Sequence, residues 1–253
     1  MKKNLNIIGA VILICLAADF AFAQNQYQAE FDQANDLYRQ ARYSQAAEAY
    51  ESIIKGGFVS GQLYYNLGNC YFKQQELGSA VLNYERAKIF MPRDSDLKAN
   101  YEYAFNQLNL SSQQSSSRLG RWLDSLSAEL GIDSMAIILS VLVLAIILLC
   151  LWSMFSGRAS KLFKPAVFIL VILLIITGVT LQRKISYLNK GAVVVAKEAG
   201  ARFEPSESAT QYFVLSEGVK VEVLDISGSW LKVRRSDKKI GWVNKEAVER
   251  ILP

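Results

Sequence analysis

The sequence predicts a multi-domain protein: an all-α helical-repeat array, a two-helix transmembrane hairpin and a small all-β barrel. Three observations predict it. Small and aromatic residues recur in a unit of about 34 residues between positions 27 and 94. Two long uncharged apolar runs follow, at 135–155 and 163–181. From residue 190 the pattern changes to short alternating stretches separated by Gly turns.

Composition narrows the function classes first. Hydrophobic residues make up 51% of the chain and charged residues 20%, and the mean hydropathy is +0.15. That is more apolar than an ordinary soluble domain. The net charge is +5, but the basic residues sit beside apolar blocks. No basic stripe with interleaved aromatics is present, so no nucleic-acid partner is expected. There is no His. This removes the usual general base and the commonest metal ligand. No nucleophile–base pair stands out either, so neither an enzyme nor a cofactor is expected.

Residues 1–23 read as a secretory signal peptide. Lys2 and Lys3 precede the apolar run Ile7–Ala18, and Ala21-Phe22-Ala23 is an A-x-A site. Ile14 is too large for a lipoprotein signal around Cys15. Retained, the same segment would act as an anchor. Cys70 and Cys150 fall in unlike segments, so no disulfide is expected.

Residues 24–110 read as the helical array. In 61–94, one helix carries Tyr64, Leu67, Gly68 and Tyr71, the next carries Ala80, Tyr84 and Ala87, and Pro92 stops it. Gly68 and Ala80 are small enough for two helix backbones to approach closely. The spacing resembles the tetratricopeptide (TPR) family. One repeat back, in 27–60, Ala34, Leu37, Ala46 and Tyr50 hold the same register, more weakly, as terminal repeats do. A last helix, 95–108, is expected to cover the open face, capped by Asp94 or Ser95.

The resemblance implies a groove lined by the first helix of each repeat. There Gln28 aligns with Gln62, Phe31 with Tyr65, Asn35 with Asn69, Tyr38 with Phe72 and Arg39 with Lys73. Amide donors and a positive charge suit an acidic or C-terminal peptide group of a protein partner. The competing explanation is common descent of two repeats with a solvated polar face.

Residues 111–134 combine a polar linker, Ser111–Ser117, with a helix around Trp122 that either lies at a membrane interface or packs on the array. The runs 135–155 and 163–181 are each long enough to span a bilayer. Their connecting loop, 156–162, holds Arg158 and Lys161, with Lys164 just beyond, and no acids, so it is expected to be cytoplasmic. That puts the array and the barrel together on the outer, periplasmic side of a bacterial inner membrane. Arg183 and Lys184 pull the other way. No ionisable residue lies deep in either span, which argues against transport.

Residues 190–253 read as the barrel. Strands are expected around Ala192–Lys197, Phe213–Leu215, Val219–Leu224, Trp230–Val233 and Ile240–Val243. The pieces Leu215-x2-Gly-x2-Val-x-Val223, Gly228-x-Trp-x-Lys-Val233 and Gly241-Trp-Val243 resemble bacterial SH3 (SH3b) domains, whose members bind cell-wall peptides or protein segments. Trp230 and Trp242, with Tyr212, form an aromatic ligand face, or else the indoles pack the barrel.

The order of signal, TPR array, hairpin and SH3b barrel resembles the BatE family of the Bat aerotolerance operon in Gram-negative bacteria. That resemblance implies a scaffold working with membrane-bound Bat proteins that carry von Willebrand A-type domains. The alternative is a tethering adaptor whose SH3b domain binds peptidoglycan while the array recruits an envelope enzyme.

Overall fold

The computed structural model describes residues 27–108, 122, 130–156 and 163–252. The expected signal segment, the serine-rich linker, most of the expected juxtamembrane helix and the stretch between the two apolar runs lie outside these residues.

Five helices form the first layer: α1 (27–39), α2 (Tyr43–Lys55), α3 (Gly61–Lys73), α4 (Leu77–Phe90) and α5 (Ser95–Gln107). They make two antiparallel hairpins, α1–α2 and α3–α4, with α5 laid on the second. Ser60 Oγ accepts from the Leu63 amide at 3.2 Å and Asp94 Oδ1 from the Leu97 amide at 2.8 Å, so α3 and α5 start at side-chain caps. Gly68 sets the α3–α4 approach. A Cβ there would lie 2.6 Å from the Tyr84 ring and 3.4 Å from the Ala80 carbonyl oxygen. Ala34 and Ala46, the matching positions of the first hairpin, are fully buried.

Two long helices follow, α6 (Ile132–Ser156) and α7 (Phe163–Lys190). Both are long and apolar enough to cross a membrane, and only 6% of each apolar window is buried by the protein itself. Large apolar side chains such as Ile137, Leu144, Phe168 and Ile175 lie exposed along them, which suits a lipid-facing anchor. The expected end of the second apolar run is not the end of its helix. α7 continues to Lys190 and enters the first strand at Gly191 without a connecting loop. Lys184, in this extension, donates to the Leu130 carbonyl just before α6.

The C-terminal part is a seven-stranded antiparallel sheet: β1 (Gly191–Val194), β2 (Glu198–Arg202), β3 (Gln211–Ser216), β4 (Lys220–Ser227), β5 (Trp230–Arg235), β6 (Ile240–Asn244) and β7 (Val248–Arg250). The spatial order is β3-β2-β6-β5-β4-β1-β7. Turns at Gly218 and Gly228 take φ of +76° and +57°, a region open to Gly at little cost. One face of the sheet curls round Val194, Ala201, Phe213, Leu215, Leu231, Val233 and Val243, all buried. β2 and β7 are additions to the expected strands. β2 is short and Ala/Gly-rich, and β7 has three residues, so neither shows a clear alternation.

The sheet is not a separate bead. Array residues Tyr64, Val81, Leu82, Leu97 and Ala104 share one apolar cluster with Leu188 of α7, Val193 of the sheet and Ile251 just past its last strand. Gly78 lies against the sheet backbone, where a Cβ would meet the Val194 carbonyl oxygen at 2.6 Å. Its amide donates to Glu217 Oε1 at 2.8 Å, and Lys197 holds the same carboxylate at 2.7 Å. Arg86 reaches Glu249 at 2.8 Å and the carbonyls of Arg250 and Ile251 at 2.9 and 3.1 Å.

At the centre, Glu85 of α4 meets Lys220 of β4 at 3.1 Å and accepts from the Tyr101 hydroxyl of α5 at 2.8 Å. Lys88 lies 3.5 Å from the same carboxylate, and the Lys220 ammonium sits 5.7 Å from the ring centroid of Tyr187 on α7. Burial alone would raise the Glu85 pKa. The Lys220 and Lys88 charges and the two hydrogen bonds outweigh it and hold the carboxyl well below its usual range. Burial likewise favours neutral Lys220, but the Glu85 charge keeps it protonated, with its pKa raised.

Candidate functional site

The array presents a face built from two copies of one hydrogen-bonded triad. In the first, the Tyr50 hydroxyl and Asn66 Nδ2 both donate to Asn35 Oδ1, at 2.7 and 2.9 Å. In the second, the Tyr84 hydroxyl and Asn100 Nδ2 both donate to Asn69 Oδ1, at 2.8 and 3.0 Å. Each member of the second triad lies 34 residues beyond its counterpart in the first. Asn100 also donates to the Tyr65 hydroxyl at 2.9 Å. Desolvation raises the pKa of Tyr50 and Tyr84, so both phenols are neutral donors. Each triad ties the first helix of a hairpin to its own second helix and to the helix after it.

This places Asn35 and Asn69 differently from a pair of free amides. Their carbonyl oxygens are committed to the scaffold, and only their Nδ2 groups lack a partner among the described residues. Gln28 donates to Asp32 at 3.1 Å and Gln62 to Asn66 at 3.0 Å, again one repeat apart. Aromatic rings flank the ladder: Phe31 on Tyr50 (5.7 Å), Tyr38 on Tyr43 (5.3 Å) and Phe72 on Tyr103 (5.5 Å). Arg39 is paired with Asp36 on its own helix, which offsets its charge. Lys73 is exposed and has no acidic partner among the described residues. Asn66, Asn100 and Tyr103 are additions to the expected groove. Extending the 34-residue step from Asp32 through Asn66 to Asn100, and from Asn69 to Tyr103, would have found them.

Cys70 is fully buried in the array and burial pushes its thiol up to about 12; Cys150 is exposed on α6, and both are free thiols. Among the described residues no group of His, Cys, Asp or Glu could hold a metal ion.

On the sheet, Trp230 and Trp242 share the outer face. The pairings Trp230–Asn244 and Lys232–Trp242 put them on neighbouring rungs of β5 and β6, and neither belongs to the interior cluster. Lys232 lies 5.6 Å from the Trp242 ring centroid. Trp230 is 8% exposed and forms one wall of a shallow depression of about 270 Å³ that Glu198, Arg202, Gln211 and Asn244 also line. Tyr212 is not part of it. Its ring lies tilted against Phe203 at 4.7 Å and edge-on to Phe213 at 5.2 Å, near Lys239.

A short, fully antiparallel sheet with its interior filled by alternate residues from every strand is an SH3-like arrangement. Residues 197–249 match the bacterial SH3 domain family, and the chain ends in such a domain. No curated protein matches the chain.

Proposed function

We propose that the protein is a membrane-anchored scaffold of the bacterial cell envelope, with a TPR-type groove and an SH3 domain as two docking modules. One observation carries the reading: the same Tyr–Asn–Asn triad built twice, one repeat apart, beside unpaired amide donors and exposed Lys73. A ladder of this kind fixes the face rigidly while leaving N–H donors for the backbone or carboxylate of a partner segment. The apolar helices α6 and α7 anchor the unit, with array and sheet on the periplasmic side. The partners are membrane-bound Bat proteins with von Willebrand A-type domains, and the pathway is envelope assembly or protection under oxidative stress. The protein is not an enzyme.

The experiment is in-cell photocrosslinking from position 73, followed by mass spectrometry. Adducts to one membrane protein that are lost on Gln62→Arg, with α3 still folded, support the groove. Adducts scattered over unrelated proteins would falsify it. Reporter fusions in loop 156–162 and after Pro253 test the orientation: opposite sides of the membrane are expected.

A second reading has its own observation. The Trp230 depression, with Glu198, Arg202 and Gln211, offers an apolar wall and both charges to a peptidoglycan stem peptide. Wall sedimentation of the full chain, abolished by Trp230→Ala, would favour a tethering adaptor.

A further inference from the structure

The sheet ends at β3, which pairs with β2 and has no neighbour on its other side. The pairing pattern says which backbone groups that leaves. The Glu217 amide donates to the Lys197 carbonyl at 3.0 Å, so 197–217 is a hydrogen-bonded pair. Bonded and non-bonded pairs alternate in an antiparallel ladder. Ala199–Leu215 therefore bonds inward, and Val214 and Ser216 turn their N–H and C=O groups outward; the register shifts between Ala201 and Arg202, which makes Tyr212 a bulged residue outside this alternation. The Ser216 carbonyl is taken by the Val219 amide, and the Arg235 guanidinium lies 3.5 Å from the Val214 carbonyl. The Val214 and Ser216 amides have no partner among the described residues.

An open edge is normally blunted by charge, Pro or a bulge. Here a bulge at Tyr212 interrupts one end of the edge, and the exposed side chains are apolar: Tyr212 is 46% exposed, Val214 40% and neighbouring Phe203 59%. The charge lies beside the edge and has one sign. Lys239 is 5.9 Å from the Tyr212 ring centroid, and neither it nor Lys238 has an acidic partner among the described residues. Arg235 is already matched by Asp237 at 2.6 Å.

We propose that the outer edge of β3 is a strand-addition site for an extended partner segment that alternates apolar and acidic residues. Carbonyl groups of the segment would accept from the Val214 and Ser216 amides, its apolar side chains would pack against Tyr212 and Phe203, and its carboxylates would meet Lys238 and Lys239. A second copy of this chain fits less well, because β3 laid on β3 would bring two basic hairpin tips together. The proposal rests on the SH3 domain being a docking module but not on the helical groove.

The test uses the full chain in detergent micelles and a fluorescein-labelled peptide, Glu-Val-Glu-Phe-Glu-Val-Glu, read by anisotropy. The decisive variant is Val214→Pro. Its lost N–H points away from β2, and an edge strand accepts Pro on that side, so the sheet keeps its fold and charge. Binding by the wild type, weakened at least tenfold by Val214→Pro and by methylation of alternate peptide nitrogens, is the expected result. Equal binding to wild type and Val214→Pro would mean charge attraction alone and overturns the proposal, as would no binding at millimolar peptide. If Val214→Pro alters the circular dichroism of the sheet, the N-methylated peptide decides. The groove variant Gln62→Arg must leave this binding unchanged, so the edge and the groove fail separately.

Discussion

Replacing Glu85 with Gln should loosen the array from the sheet without unfolding either. The carboxylate is 4% exposed and neutralises Lys220, whose side chain is 26% exposed. Removing one partner of a buried pair costs about 3–5 kcal/mol, because the other charge stays buried alone. Lys220 keeps some access to water, so the lower end applies, about 3 kcal/mol. At 1.4 kcal/mol per factor of ten, that is roughly a hundredfold in the opening equilibrium. The assay is hydrogen exchange of the Gly78 amide, which donates across the interface to Glu217. It should exchange about a hundredfold faster in Glu85→Gln, while amides of α2 stay unchanged. Glu85→Leu with Lys220→Met should recover most of the protection, since the only charge left without its partner is Lys88, which is 40% exposed and stays in water. Unchanged Gly78 exchange in Glu85→Gln would refute the claim that this pair holds the interface.

The pH dependence has a definite sign. The folded pKa of Glu85 is depressed, so its contribution is complete above the unfolded value of about 4.3. It is lost as pH falls from there through the lower folded value. Gly78 protection should therefore hold at pH 6 and weaken under strong acid, and pH-independent protection over that range would count against the pair. Gly78→Ala should undock the sheet by about 1–3 kcal/mol, because its Cβ would meet the Val194 carbonyl oxygen at 2.6 Å; the same exchange experiment reads it. Asn69→Ala should cost about 1–3 kcal/mol in thermal unfolding, since the buried Tyr84 hydroxyl loses its acceptor. Cys70, with its thiol pushed up to about 12, should resist maleimide at pH 7.5 in the native protein and label in urea.

The array was legible because its period is written in residue types. Gly68, Ala80 and Tyr84 must be small, small and large for two backbones to approach, and the earlier repeat matches them with Ala34, Ala46 and Tyr50. The SH3 strands were legible where alternation and turn glycines coincide, as at Val219–Val223. The docking of array on sheet was not. Glu85 and Lys220 look like ordinary surface charges, and nothing local pairs residues 135 positions apart. One signal was there: Leu77, Ala80, Val81, Tyr84 and Ala87 form one stripe of α4, and Leu82 and Gly78, also buried, lie off it. A helix that buries side chains beyond one stripe needs a neighbour on that second side as well, and the sheet supplies it at Gly78. The triads were half legible. Asn35 and Asn69 stood out as a repeated pair, but only the third column, through Asn100, shows that their oxygens are structural.

This docking changes what the proposed scaffold could do. Modules joined by a flexible linker sample many separations, and the second binding event gains only from effective concentration. Here α7 enters β1 directly, Leu188 at its end lies in the cluster shared by array and sheet, and Tyr187 stands beside Lys220. At about 1.5 Å per residue, its 28 residues run to roughly 42 Å, beyond the hydrocarbon core of about 30 Å. The surplus forms a rigid stalk inside the folded head. In the anchored reading, the groove ladder and the β3 edge then keep one height and one orientation above the bilayer. Two partners held by them would meet in a single geometry, which the shared apolar cluster, the Arg86 and Gly78 contacts and the Glu85–Lys220 pair together keep from being averaged away.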